Sequence, residues 1–192
     1  MNEGAAETEI KLPFPSATEA IERLGKLGAT ILHERAFEDN VAFDLPSKEL
    51  TSTGRLLRVR RYGKRAWLAY KGPRTGLGPH KSRTEHETLI ENPEAVERLL
   101  AELGFEPVYR YEKYRTIFAL PGIEVSVDET PLGCFVELEG EPSAIDAVAR
   151  RLGFSPEDYI VATYRELQEE AARKAGRPAG DLLFESDRSA PR

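Results

Sequence analysis

Glu7-Thr8-Glu9-Ile10-Lys11 is the stretch from which the rest of the chain can be read. Charged and uncharged residues alternate, so on a strand Glu7, Glu9 and Lys11 share one face and Thr8 and Ile10 the other. Side chains on one face stand about 6.5–7 Å apart, twice the rise per residue. Two carboxylates at that spacing can share a hard divalent cation, and a lysine beyond them can meet an anion that the cation carries. A solvated strand face would read the same way, so the pentapeptide gains meaning only if other strands repeat it.

Working outward, Pro13 and Pro15 end the first strand, and Ser16 with Glu19 three residues on predicts a helix start. Ala20, Ile21, Leu24 and Leu27 follow at helical spacing until Gly28. Residues 29–45 read as extended, 47–54 as a polar loop, and 54–62 as a strand with Leu57 and Val59 opposite Arg58 and Arg60. Gly63-Lys64 turns the chain into a strand over 65–71, followed by a Gly- and Pro-rich loop over 72–79 that reads as mobile. Further strands are expected over 82–90, 108–120, 123–129 and 134–141. A second helix should open at Asn92 or Pro93 and close at Gly104, and a third should carry Ser143 as its cap. Ser155-Pro156-Glu157 predicts a short helical turn, and 164–175 a last, charged helix that closes one end of the structure. Eight hairpin-connected, alternating strands with helices at three junctions predict an α+β fold, an eight-stranded antiparallel β-barrel with helices packed outside. Residues 1–175 form the single expected domain, and 176–192 a flexible C-terminal tail. The halves 7–71 and 83–139 hint at a duplicated plan.

The 192 residues suffice for a sizeable core, and 40% hydrophobic with 31% charged residues is a globular composition. A net charge of −6 and a pI near 5.3 argue against an extended nucleic-acid surface or an anionic membrane as partner. The lone Cys134, in an apolar run with Phe135 and Val136, reads as a buried inert thiol. Residues 1–6 lack the pattern of a signal peptide, and a cytoplasmic location is expected.

Collected on one face of the strands are Glu7, Glu9, Lys11, Arg58, Arg60, Lys71, Arg83, Glu85, Glu87, Lys113, Arg115, Asp128, Glu137 and Glu139, in equal numbers of acids and bases. For any single strand, a solvent face is the simpler explanation. For the set it is not, because the opposite faces carry Ile10 and Leu12, Leu57 and Val59, Val136 and Leu138, which the amphipathic helices can cover only from outside. The charges then turn into a shared interior, which must be wet and salt-bridged, since isolated buried ions are prohibitively costly. Carboxylates that hold Mg2+ or Mn2+ beside arginines and lysines that hold phosphate oxygens make a metal–polyphosphate site. His33, His80 and His86 are not spaced as a metal triad, Lys81 reads as solvated, and Trp67 and Tyr70 read as hairpin packing.

In this order, Glu7-x-Glu9-x-Lys11, Leu57-Arg58-Val59-Arg60, Lys71-Gly72-Pro73, Arg83-x-Glu85-x-Glu87, Lys113-x-Arg115, Asp128, Gly133-x-Phe135-x-Glu137-x-Glu139 and Thr163-Tyr164-Arg165-Glu166-Leu167 resemble the CYTH superfamily. That group contains class IV (CyaB-type) adenylyl cyclases, thiamine triphosphatases and triphosphate tunnel metalloenzymes, and the likeness is greatest to the CyaB branch. The resemblance implies an eight-stranded tunnel and one or two Mg2+ or Mn2+ ions. Glu7, Glu9, Glu85, Glu87, Asp128, Glu137 and Glu139 are then the candidate metal ligands. Lys11, Arg58, Arg60, Lys71, Arg83, Lys113 and Arg115 would hold the triphosphate, with Glu9, Lys11, Arg58 and Arg60 as the catalytic set. Related sequences often carry an acid and a tyrosine ahead of a phenylalanine in the second strand; Asn40-Val41-Ala42-Phe43-Asp44 departs from that, in a region where the organic part of a substrate could be read.

The expected partner is a small-molecule triphosphate, and a homodimer stays open. Hydrolysis uses only the triphosphate half of such a site, whereas a cyclase must also aim a ribose 3′-hydroxyl at the α-phosphorus. The leading expectation is a phosphohydrolase. A class IV adenylate cyclase, a non-catalytic polyphosphate- or nucleotide-binding module and a salt-bridged structural barrel are the alternatives.

Overall fold

The computed structural model describes residues 6–75 and 79–185. The start of the chain, the centre of the loop over 72–79 and the end of the tail lie outside them. Eight strands, β1 (Ala6–Phe14), β2 (Thr30–Asp44), β3 (Leu56–Tyr62), β4 (Arg65–Lys71), β5 (Lys81–Ile90), β6 (Glu106–Leu120), β7 (Ile123–Thr130) and β8 (Gly133–Gly140), close into one antiparallel barrel. Their order is β1-β5-β4-β3-β2-β6-β7-β8. Replacing each strand by the one four places away in the chain returns the same ring of neighbours, run in the opposite sense. The hinted two-fold plan is therefore present in the topology.

Closure depends on β1 using both edges. Glu7 pairs with Arg83 and Glu9 with Lys81 of β5, while Lys11 pairs with Glu137 and Leu12 with Val136 of β8. Because the side-chain period is two, this register sends Ile10 and Leu12 outward. There they join Val125, Val127, Val136 and Leu138 beneath two helices. These are α1 (Ala17–Lys26), through Ala20 and Leu24, and α4 (Pro142–Arg151), through Ile145, Val148 and Ala149. Each fully buried aliphatic side chain contributes about 1.5–3 kcal/mol, enough for this layer to decide which strand face points in. On another wall α3 (Pro93–Glu102) sets Leu100 against Phe43 and Val59.

The caps follow local chemistry. Ser16 accepts from the Glu19 amide at 3.2 Å, Asn92 accepts from the Ala95 amide at 2.9 Å, and Gly28 takes φ +82° after α1. Two expectations need correction. Ser143 lies inside α4, which opens on Pro142 after Glu141. The expected 47–54 loop contains a one-turn helix, α2 (Glu49–Ser52), because the Asp44 carboxylate accepts from the amides of Leu45, Leu50 and Thr51 at 2.8–2.9 Å.

The last helix, α5 (Tyr164–Lys174), starts on a Thr163–Glu166 capping box. It does more than present a charged face, since Tyr164, Gln168 and Ala172 are buried. Within the stretch expected to be a tail, Leu182 exchanges backbone hydrogen bonds with Arg110 and Glu112 of β6. It packs with Ala42, Tyr109, Tyr111, Phe135 and Tyr164. No helix among the described residues is long and apolar enough to cross a membrane.

Candidate functional site

The barrel encloses a cavity of about 2080 Å³. Of the fourteen charged residues expected on the inner face, all but Asp128 border it. They sort into three groups by what they touch.

The first group is a corner rich in carboxylates, where β1, β5 and β8 meet. Glu7 and Glu85 meet across Lys71, and their proximity favours the protonated form of Glu7 and the ionised form of Glu85. Lys71 bridges the pair, at 2.7 Å from Glu7 and 2.6 Å from Glu85. Burial and the Glu85 contact raise the Glu7 pKa, while that of Glu85 is lowered: burial opposes ionisation, but the Glu7 hydrogen bond and Lys71 outweigh it. Glu139 has open surface at the cavity edge, yet the surrounding protein and then Glu7 push its pKa up to about 8. Hard oxygen donors whose ionised forms are disfavoured by burial and by one another fit a divalent cation. Among the described residues no three His, Cys, Asp or Glu side chains already stand in ligating geometry. A cation held by Glu7, Glu85 and Glu139 would compete with protonation of Glu7 and Glu139.

The second group is a network of paired ions. Glu9 bonds closely to Lys81 and lies 3.4 Å from Lys11. Burial favours neutral Glu9, but Lys11, Lys81 and Lys71 outweigh it and hold the carboxyl well below the ordinary range. Lys11 is buried too, and Glu137 and Glu9 raise its pKa despite that, so it stays an ammonium ion. Asp128, with no exposed surface, accepts from Lys113 at 2.9 Å, twice from Arg115 at 2.6 Å and from the Tyr164 hydroxyl at 2.7 Å. Arg115 also bonds closely to Glu137. Asp128 therefore points inward with the bases and orients them, but is itself covered by its partners and does not line the cavity.

The third group is three arginines with spare donors. Arg58 donates to the Tyr111 hydroxyl at 2.8 Å and Arg60 to Glu87 at 2.8 Å. Arg83 is 8% exposed and, among the described residues, has no carboxylate within salt-bridge distance. The Nε–H groups of Arg58, Arg60 and Arg83 are all buried without an acceptor. A buried guanidinium with unmet donors costs free energy until an anion arrives.

Several site residues were not legible in the sequence. Lys81, expected in solvent, is 2% exposed and bonded to Glu9; burial lowers its pKa to about 8. It sits at the first position of β5, where alternation could not be followed past the glycine-rich loop. Glu38 has no exposed surface and lies 3.4 Å from Lys113. Burial would raise its pKa, but Lys113, Arg115 and Arg58 bring it down to about 2. Its neighbours Arg35 and Asp39 hide the alternation, and only the pairing of Glu38 with Lys113 places it inside. Tyr164 enters the barrel from α5, a position no strand pattern could show. Trp67 borders the cavity with the Arg60 guanidinium 4.7 Å from its ring centre, whereas Tyr70 stacks on His86. His80 pairs with Asp146 of α4 at 2.8 Å, and the three histidines form no cluster. Cys134 packs against the outer core, and burial pushes its thiol up to about 11.

A family profile described as the CYTH domain matches residues 5–176. The chain is 30% identical over 173 residues to a Methanocaldococcus jannaschii protein named "putative adenylate cyclase", covering 84% of this chain and 98% of that one. Among solved structures, a "putative adenylate cyclase" from Vibrio parahaemolyticus superposes with a TM-score of 0.77 at 20% identity, covering 86% of this chain and 98% of that one. The PH1012 protein of Pyrococcus horikoshii gives a TM-score of 0.69 at 25% identity, over 82% of this chain and 96% of that one. The chain belongs to the CYTH family.

Proposed function

We propose that this CYTH protein is a divalent-metal-dependent enzyme that hydrolyses a triphosphate inside the barrel. The observation that carries the reading is the set of donors on Arg58, Arg60 and Arg83 left unmet among the described residues, above all Arg83, buried there without an acid. They face the same cavity as the carboxylate corner. A ligand that satisfies both is a polyanion carrying a cation, and a metal-bound triphosphate has that composition.

Glu7, Glu85 and Glu139 would hold Mg2+ or Mn2+, which supplies charge neutralisation and makes a coordinated water more acidic. Arg58, Arg60, Arg83, Lys71 and Lys113 bind the phosphate oxygens. Lys11, kept cationic by Glu137 and Glu9, neutralises charge on the departing phosphate. Glu9, Glu87, Asp128 and Glu137 fix the bases they are bonded to, so that little reorganisation accompanies the reaction.

A cyclase reading is favoured by one observation, the name of the Methanocaldococcus jannaschii relative at 30% identity. One experiment separates the readings. The protein is incubated with Mg2+ or Mn2+ and, separately, inorganic triphosphate, ATP or thiamine triphosphate, and the products are resolved by chromatography. Phosphate release is the expected result. Cyclic AMP with pyrophosphate would replace the hydrolase by a cyclase, and bound ligand without product would leave a binding module.

A further inference from the structure

At the end of the barrel where β3 turns into β4, aromatic rings join charged residues, with Lys64 and Arg65 bordering the cavity beside Tyr62 and Trp67. Beyond Arg60 the inner face of β3 carries Tyr62, and Trp67 of β4 pairs directly with Arg60. Leu89 of β5 is opposite Trp67 on the same face and is 58% exposed. Among the described residues Trp67 belongs to none of the three apolar clusters, and it borders the cavity instead. One ring contact is accounted for by the Arg60 guanidinium, which also donates to Glu87 at 2.8 Å. Tyr62 is fixed in turn, its hydroxyl donating to the backbone carbonyls of Glu34 and Arg115 at 3.2 Å, with His33 edge-on to its ring. A large aromatic ring that contributes to no core, held by an arginine at the edge of a phosphate-binding tunnel, has no task in binding bare phosphate.

We propose that Trp67, backed by Arg60 and flanked by Tyr62, is a specificity platform on which a planar heterocycle attached to the triphosphate stacks. The inference rests on the triphosphate reading and adds what the ligand carries. Alternate positions on β3 are about 6.5–7 Å apart, so the platform lies one such step beyond Arg58, about the span of a ribose between phosphates and base. Stacking on an aromatic face tolerates any base, so the platform selects nucleotides over inorganic chains without choosing among nucleobases.

Trp67 is the only tryptophan in the sequence, so its fluorescence reports on the platform alone. The full chain with Mg2+ is titrated with ATP and with inorganic triphosphate by rapid mixing, and binding of each is measured in parallel by calorimetry. Quenching by ATP and not by inorganic triphosphate is expected. Trp67→Leu should weaken ATP binding about ten-fold while leaving inorganic triphosphate unchanged, and Trp67→Phe should recover most of the loss. ATP that binds without quenching, or a Trp67→Leu protein that loses both ligands equally, would overturn the platform and leave the triphosphate reading intact. Failure of both ligands to bind the unaltered protein would overturn the triphosphate reading itself, and the platform with it.

Discussion

Replacing Arg83 by methionine separates a residue kept for its ligand from one kept for the fold. Its guanidinium is 8% exposed, has no carboxylate in salt-bridge reach among the described residues, and leaves its Nε–H without an acceptor. Most of the cost of desolvating the charge is thus unreturned in the free protein. Exchanging unrewarded buried ions for apolar side chains of similar volume is neutral to stabilising, and about 1–3 kcal/mol is expected here. For a chain of this length that corresponds to a rise of about 2–4 °C in Tm for each kcal/mol. The same change removes charge-assisted hydrogen bonds to the ligand, worth about 1.5–3 kcal/mol, so affinity for Mg2+-triphosphate should fall roughly 10- to 150-fold. Thermal unfolding of the free protein and calorimetric titration with inorganic triphosphate measure the two effects on one sample. An Arg83→Met protein that is less stable than its parent and binds triphosphate equally well would refute the reasoning, since Arg83 would then be a structural residue.

Two further outcomes follow from the ion network. Asp128→Asn leaves Lys113, Arg115 and the Tyr164 hydroxyl around a neutral group with no exposed surface, and should cost about 3–5 kcal/mol in urea unfolding. Glu129→Gln, which breaks an exposed pair with Arg35, should cost no more than about 1 kcal/mol. The pH dependence has two limbs. Glu38, lowered from its ordinary 4.5 to about 2, contributes stability that is present above 4.5 and lost as pH falls towards 2; Glu38→Gln should flatten that limb. Glu139 is raised to about 8, so its contribution is complete below 4.5 and is lost as pH rises through 8. Mg2+ must displace the protons of this corner, so the Tm gain from Mg2+ should grow between about pH 6 and about pH 9, and a gain independent of pH would count against the corner as the metal site.

Strand faces were legible in the sequence wherever charge and apolarity alternate without interruption. Glu7-x-Glu9-x-Lys11, Arg58-x-Arg60 and Glu137-x-Glu139 declare an inner face, and Ile10, Leu57, Val59, Val136 and Leu138 declare the outer one. The strand count and the need for helices outside follow from the same period of two. Lys81, Glu38 and Trp67 were not legible for a shared reason. Each stands where alternation is broken by a loop, by charged neighbours on both sides or by a hairpin end, and local pattern cannot say which way such a residue turns.

Tertiary structure decided that question through barrel closure. Pairing Glu9 with Lys81 puts a lysine that looked solvated onto a buried carboxylate, and pairing Glu38 with Lys113 does the same for an acid in an unpatterned strand. It also divided acids that look alike in sequence. Glu7 and Glu85 share a single lysine, Lys71, whereas Asp128 is enclosed by Lys113, Arg115 and the Tyr164 hydroxyl. The sequence determined that a mixed-charge interior exists, because side-chain direction along a strand is a local property of the backbone. Which acid meets which base is a matter of register between strands far apart in the chain, as with Lys11 and Glu137, and only the closed barrel sets it.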